Sequence, residues 1–142
     1  APHVIDARRC LSYLTIEHKG SIPEKLRPLI GNWLFGCDLC QEVCPLNVRR
    51  QVTSEEDFLR INAGSSRELE EILAIESDEE FTARFAGSPL MRAGRVGLIR
   101  NASLVAANNG EKSVLPRLQE LSADPDPIIS EHAAWAVRQL TG

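Results

Sequence analysis

Residues 35–47 read FGCDLCQEVCPLN: three cysteines at C-x2-C-x3-C, the last followed at once by a proline. Cys37, Cys40 and Cys44 fall in a turn with at most a helical start, and Pro45 breaks the chain before LNVRR. The only other cysteine, Cys10, lies 27 residues upstream of Cys37. Thiolates at such spacing reach one side of a short loop, which suits a small soft ion or a cluster. Three occupants compete. Zinc would use all four cysteines in one tetrahedral site, although zinc sites commonly join two close pairs and Cys10 stands alone. A disulfide or free thiols is the plain alternative, and the absence of a secretion-signal pattern weighs against the disulfide. An iron–sulfur cluster also accounts for Pro45, because two-cluster ferredoxin runs end C-x3-C-P and lend that last cysteine to the other cluster.

The iron–sulfur alternative carries a count with it. A cluster on Cys10, Cys37 and Cys40 lacks a fourth ligand, and Cys44 on a second cluster lacks three partners, yet the sequence has no further cysteine. The opening APHVIDARRC reads like the interior of a protein, so the chain is expected to be a piece of a longer one.

The 142 residues suffice for one domain or for two small units sharing a core. Hydrophobic residues make up 43% and charged residues 25%, the balance of a soluble globular chain. No apolar run reaches membrane-spanning length, so no membrane contact is expected; with no signal-peptide pattern and thiols expected to be reduced or metal-bound, the expected setting is cytoplasmic, and a monomer is expected. The formal charge of −4 argues against nucleic-acid binding by the chain as a whole, but the charge is uneven. Residues 54–80 hold ten acids and two arginines, whereas residues 81–110 hold four arginines and no acid. A net-acidic chain can still present a basic face.

The fold class expected is mainly α, with no strand-rich region: a ferredoxin-like cysteine segment (1–52), an acidic helical connector (53–86) and α-helical HEAT-like repeats (87–142). Residues 6–19 predict one short helix, with Asp6 as cap, Gly20 in the left-handed position after its end, and His18 and Lys19 at its negative pole. Ser21 and Glu24 have capping-box spacing, with Pro23 in the first turn. TSEEDFL and SDEEFTARF predict two acidic helices in the connector. In the last third, LIRNASLVA (98–106) aligns with ISEHAAWAV (129–137) at an offset of 31, so that Ala102 matches Ala133. The amphipathic KSVLPRLQEL and the DPDP turn lie between, the pattern of a short HEAT-like repeat, with a plain helical bundle as the alternative.

Together, DARRCLSYLTIEHKGSIPEKLRPLIGNWLFGCDLCQEVCPLN, GSPLMRAGRVGLIRNASLVAANNG and DPDPIISEHAAWAVRQL resemble epoxyqueuosine reductases, over nearly the whole chain and least closely at 50–80. That resemblance implies reduction of epoxyqueuosine to queuosine at the wobble position of tRNA, with cobalamin and two 4Fe–4S clusters as cofactors. It implies that the cobalamin domain and a first cysteine run precede the region seen here, so this chain is not expected to be active alone. Carried over by motif, Cys10, Cys37 and Cys40 match three ligands of one cluster, and Cys44 matches the ligand lent to the other. The implied roles are electron relay and tRNA docking near the anticodon; the resemblance names no electron donor. The reading from a different class is a non-enzymatic HEAT-like interaction module with a zinc-stabilised cysteine segment.

Around the cysteines, Ser12 and Asp38 are candidates to approach the cobalamin or to bond to sulfur. Tyr13, Glu17, His18 and Lys19 read as a capped helix with a charged end rather than as catalytic groups. Ser88 can cap a helix opened by Pro89, whose free N–H groups suit a phosphate, with Arg92 and Arg95 one turn apart on it. Ser88, Arg92, Arg95 and Arg100 are therefore the candidate tRNA contacts, against the alternative that the arginines pair with the acids of 54–80. Trp135 reads as core, and His132 as a packing or exposed residue.

Overall fold

The computed structural model describes residues 4, 6–50, 53–56 and 68–142. Among them there is no β-strand, and no helix is long and apolar enough to cross a membrane. Six α-helices are described: α1 (Leu39–Glu42), α2 (Leu69–Leu73), α3 (Asp78–Phe85), α4 (Gly94–Asn109), α5 (Leu115–Leu121) and α6 (Pro127–Thr141). The expected TSEEDFL helix falls largely outside the described residues.

Helix α4 is the axis of the fold. Every residue from Gly97 to Ala106 is buried, so it is covered on all sides. It packs most extensively on α6, and also on α2, α3 and the segment before the cysteine run. Ala102 and Ala133, which match across the 31-residue offset, are both fully buried. Small side chains at such positions let helix backbones approach closely. One apolar core runs through Leu14, Ile22 and Ile30 of the first segment, Phe81 of the connector, and Leu98, Leu104 and Ile129 of the last. Each such side chain contributes roughly 1.5–3 kcal/mol on burial, so the cysteine-bearing segment depends on the helices for its stability.

The later helix ends follow local signals. Asp126 accepts from Ile128 N–H at 2.8 Å and Ile129 N–H at 3.3 Å, with Pro127 at the first position of α6. Ser77 accepts from Glu80 N–H at 3.1 Å, capping α3. Gly110, at φ 68°, closes α4 in the left-handed conformation.

The first segment departs from expectation. Residues 6–19 do not form one α-helix. Asp6 does cap a start, but that start is a 3-10 turn over Ala7–Arg9, and a π-helical turn follows over Tyr13–Glu17. In an α-helix Leu14 O would accept from His18 N–H, but His18 N–H goes to Tyr13 O at 2.9 Å. The carbonyls of Leu14 and Thr15 are instead taken by Arg100 and Asn101 of α4. Gly20 is not left-handed, because the helix has already ended with His18 extended. The Ser21–Glu24 capping box does not form either. Pro23 precedes a 3-10 helix over Glu24–Ile30, and Ser21 Oγ donates to Glu131 of α6 at 2.9 Å.

Candidate functional site

The four cysteines carry free thiols; Cys10 and Cys40 are exposed, Cys37 and Cys44 half-buried. Cys10 ends the 3-10 turn, and its carbonyl accepts from Leu14 N–H at 2.9 Å. Cys37 follows Gly36, which sits at φ 74° and so reverses the chain into the run. Cys40 lies in α1, and Cys44 precedes the 3-10 turn opened by Pro45. Four unpaired thiols are the right donor chemistry for iron–sulfur ligation. Among the described residues no three His, Cys, Asp or Glu side chains form a group that could hold a single metal ion.

The two cysteine-bearing stretches are tied together by hydroxyls. Ser12 Oγ donates to Cys37 O at 3.3 Å, and Thr15 Oγ1 accepts from Gly36 N–H at 3.0 Å while donating to Leu11 O at 2.7 Å. Ser12 thus bonds to the backbone of a cysteine. Asp38 stands at the start of α1 without a side-chain cap, and its carbonyl accepts from Gln41 and Glu42 N–H.

Below this pair lies a buried polar layer that the sequence reading missed. The Arg100 guanidinium is 1% exposed and spends all five N–H groups. Nη1 donates to His18 O at 2.7 Å and Gly20 O at 2.8 Å; Nη2 donates to Leu14 O at 2.7 Å and Asn101 Oδ1 at 2.9 Å; Nε donates to Asn101 Oδ1 at 3.1 Å. Asn101 Nδ2 donates to Thr15 O at 2.8 Å and Leu34 O at 3.0 Å, spanning the chain after Cys10 and the chain before Cys37. One repeat offset later, His132 Nε2 accepts from Ile22 N–H at 3.1 Å, so its proton sits on Nδ1, which donates to Ile128 O at 2.7 Å. Buried Arg27 donates to Ile22 O at 2.8 Å, bonds Glu131, and lies over the Trp135 ring at 5.6 Å. The signal was present in the alignment, because Arg100–Asn101 and Glu131–His132 occupy matching polar positions in otherwise apolar helices.

The second candidate face is assembled differently from its expectation. Ser88 does not cap: its Oγ is buried without a hydrogen-bond partner. Pro89–Arg92 is a single 3-10 turn, and Ala93 stands between it and α4, which opens on Gly94 at φ 73°. Arg92 and Arg95 therefore do not share one helix. Arg92 is exposed and pairs with Glu17. Arg95 Nε lies 3.4 Å from Asp78 Oδ1, too poorly aligned for a hydrogen bond, and is buried without a hydrogen-bond partner. Arg84 lies 3.6 Å from Glu80. Arg100 is not on this surface at all, since its donors are consumed inside. Trp135 and His132 are both core residues.

Apolar side chains also crowd the cysteine run at the surface: Leu39, Val43, Leu46 and Val48 are 49%, 78%, 89% and 79% exposed.

A family model described as "4Fe-4S double cluster binding domain" matches residues 1–47, the stretch that holds all four cysteines. Epoxyqueuosine reductase from Pseudomonas aeruginosa is 46% identical over 97% of this chain, which spans 38% of that protein. The Escherichia coli epoxyqueuosine reductase is 42% identical over 97% of the chain and 36% of its own length. The crystal structure of an epoxyqueuosine reductase with a tRNA-Tyr epoxyqueuosine-modified stem loop is similar at TM-score 0.87 and 37% identity, covering 99% of this chain and 37% of that one. The Streptococcus thermophilus enzyme is similar at TM-score 0.78 and 28% identity, over 96% of this chain and 36% of its own. The chain thus spans little more than a third of the relatives it matches, and along nearly its whole length it is a homologue of the epoxyqueuosine reductases.

Proposed function

We propose that this chain is the iron–sulfur and helical C-terminal part of an epoxyqueuosine reductase, relaying electrons to the substrate site and docking tRNA. The observation that carries the proposal is the coincidence of the double-cluster match over residues 1–47 with four free thiols at the split spacing. Cys10, Cys37 and Cys40 hold three corners of one 4Fe–4S cluster. Cys44 lends a ligand to the other, and the remaining ligands come from a further segment of the protein. When bound, cobalamin supplies the low-valent chemistry that removes the epoxide oxygen, with the clusters as its electron source. The part of this chain is to hold the clusters, tie Cys37 to the Cys10 turn through Ser12, and offer the exposed Leu39–Val48 surface to the segment that completes the ligand sets. Residues 87–142 act as a HEAT-like support for that segment. A zinc-stabilised interaction module would need all four sulfurs about one ion, whereas zinc sites commonly join two close pairs and Cys10 stands 27 residues from the next cysteine.

The test uses the full-length protein. Cys40→Ala removes one cluster and Cys44→Ala damages the other, read by iron content and electron paramagnetic resonance. Loss of the same cluster in both variants would sink the split assignment, and a colourless zinc-bound protein would sink the iron–sulfur reading.

For tRNA, the supporting observation is the acid-free stretch 81–110, which exposes Arg92 at the surface. An exposed ion pair such as Arg92–Glu17 is weak enough to give way to a phosphate contact. Arg92→Glu with Arg95→Glu is expected to weaken tRNA binding and flatten its dependence on salt, with cluster content unchanged. Affinities measured at several salt concentrations decide it; an unchanged slope removes this face from the RNA site.

A further inference from the structure

The Arg100 guanidinium is a permanent charge in an unusual place. Burial pushes its pKa down to about 10, which leaves it protonated at neutral pH. All five of its N–H groups go to uncharged acceptors, and among the described residues no carboxylate pairs with it. Its partners are the carbonyls of Leu14, His18 and Gly20, in the chain that follows Cys10, and the Asn101 amide, which bridges to Leu34, three residues before Cys37. A cation in a low-dielectric interior acts over a longer distance than one in water. Thiolate-ligated clusters carry negative charge and gain more on reduction, so their potentials depend on nearby charge, hydrogen bonds and exposure.

We propose that Arg100, held in place by Asn101, sets the reduction potential of the cluster bound by Cys10, Cys37 and Cys40, its uncompensated positive charge favouring the reduced form. Arg100 is a tuning and positioning residue; it does not touch the substrate. The inference rests on the iron–sulfur reading above. The sign is fixed by electrostatics. Removing the cation makes the one-electron reduction of that cluster harder and moves its midpoint to more negative potential. The second cluster, which takes only Cys44 from this chain, shifts less.

The experiment is a redox titration of the full-length holoprotein, followed by electron paramagnetic resonance, for wild type, Arg100→Lys and Arg100→Gln. Arg100→Lys keeps the charge and loses donors; Arg100→Gln loses the charge. The expected result is a midpoint close to wild type for the lysine variant and a negative shift, confined mainly to one cluster, for the glutamine variant. An unchanged midpoint in Arg100→Gln overturns the proposal. So do equal shifts in the two variants, which would show distortion rather than charge. Should Arg100→Gln fail to retain a cluster, Asn101→Asp replaces it. That variant puts a carboxylate against the guanidinium and is expected to shift the midpoint in the same negative direction; no shift there overturns the proposal. Absence of iron and labile sulfide from the wild-type protein would instead remove the iron–sulfur reading itself.

Discussion

Asn101→Leu is expected to lower the unfolding free energy by about 4 kcal/mol, a large fraction of the stability of a domain of this size. The replacement has nearly the same shape, so little of the loss comes from a cavity. It comes from polar groups left buried without partners. Thr15 O and Leu34 O lose their donor, and two Arg100 N–H groups lose the Oδ1 they share. Asn101 is fully buried, so water cannot replace those bonds. Asn108→Leu serves as the comparison. Asn108 also donates to two carbonyls, Arg27 O at 3.0 Å and Gly31 O at 3.2 Å, but it is only half-buried. Its loss is expected to cost about 1–2 kcal/mol. Urea unfolding of both variants checks the ranking, and equal midpoints would mean that the Arg100–Asn101 layer does not hold the first segment.

Acid is expected to destabilise the protein through His132, by about 3 kcal/mol between pH 6.5 and pH 4. Burial is the main cause of a pKa pushed down to about 4. The Ile128 carbonyl opposes that shift, Arg27 and Arg100 add to it, and Glu131 on the same helix works against it. The folded state therefore binds fewer protons than the unfolded state between the two pKa values. Stability is complete above pH 6.5 and falls as the pH drops toward 4, at up to about 1.4 kcal/mol per pH unit. Geometry gives the same answer: protonated Nε2 would face the Ile22 N–H that it now accepts at 3.1 Å. His132→Phe is expected to be less stable at pH 7, because Ile22 N–H loses its acceptor, yet flatter from pH 6.5 to pH 4. An unaltered slope in that variant would assign the acid sensitivity to other groups.

The later helices were legible because their signals are local. Asp126–Pro127 opens α6, Ser77 caps α3, Gly110 closes α4, and the 31-residue offset correctly paired Ala102 with Ala133 as buried positions. The cysteine spacing was legible for a similar reason, since C-x2-C-x3-C-P states its chemistry within nine consecutive positions. Where the residues near the cysteines make their bonds was not. Ser21 and Ser88 have sequence contexts suited to capping and Ser12 stands two residues after Cys10, but the Ser12 hydroxyl bonds the Cys37 carbonyl, the Ser21 hydroxyl bonds Glu131, and the Ser88 hydroxyl has no partner among the described residues.

By itself, then, the sequence determined the helical class, the caps of the later helices and the identity of the four thiols. Tertiary structure decided how residues 10–19 fold. That stretch has the composition of a helix, but helical carbonyls can be claimed by stronger donors from elsewhere. Arg100 and Asn101 sit 86 positions from Leu14 and Thr15, and their N–H groups take the two carbonyls that an α-helix would have used. A charged donor buried at that point outweighs local propensity, and no reading of residues 6–19 alone could contain it. The same contacts turned Arg100 from a surface arginine in the acid-free stretch into the buried cation beneath the cysteine segment.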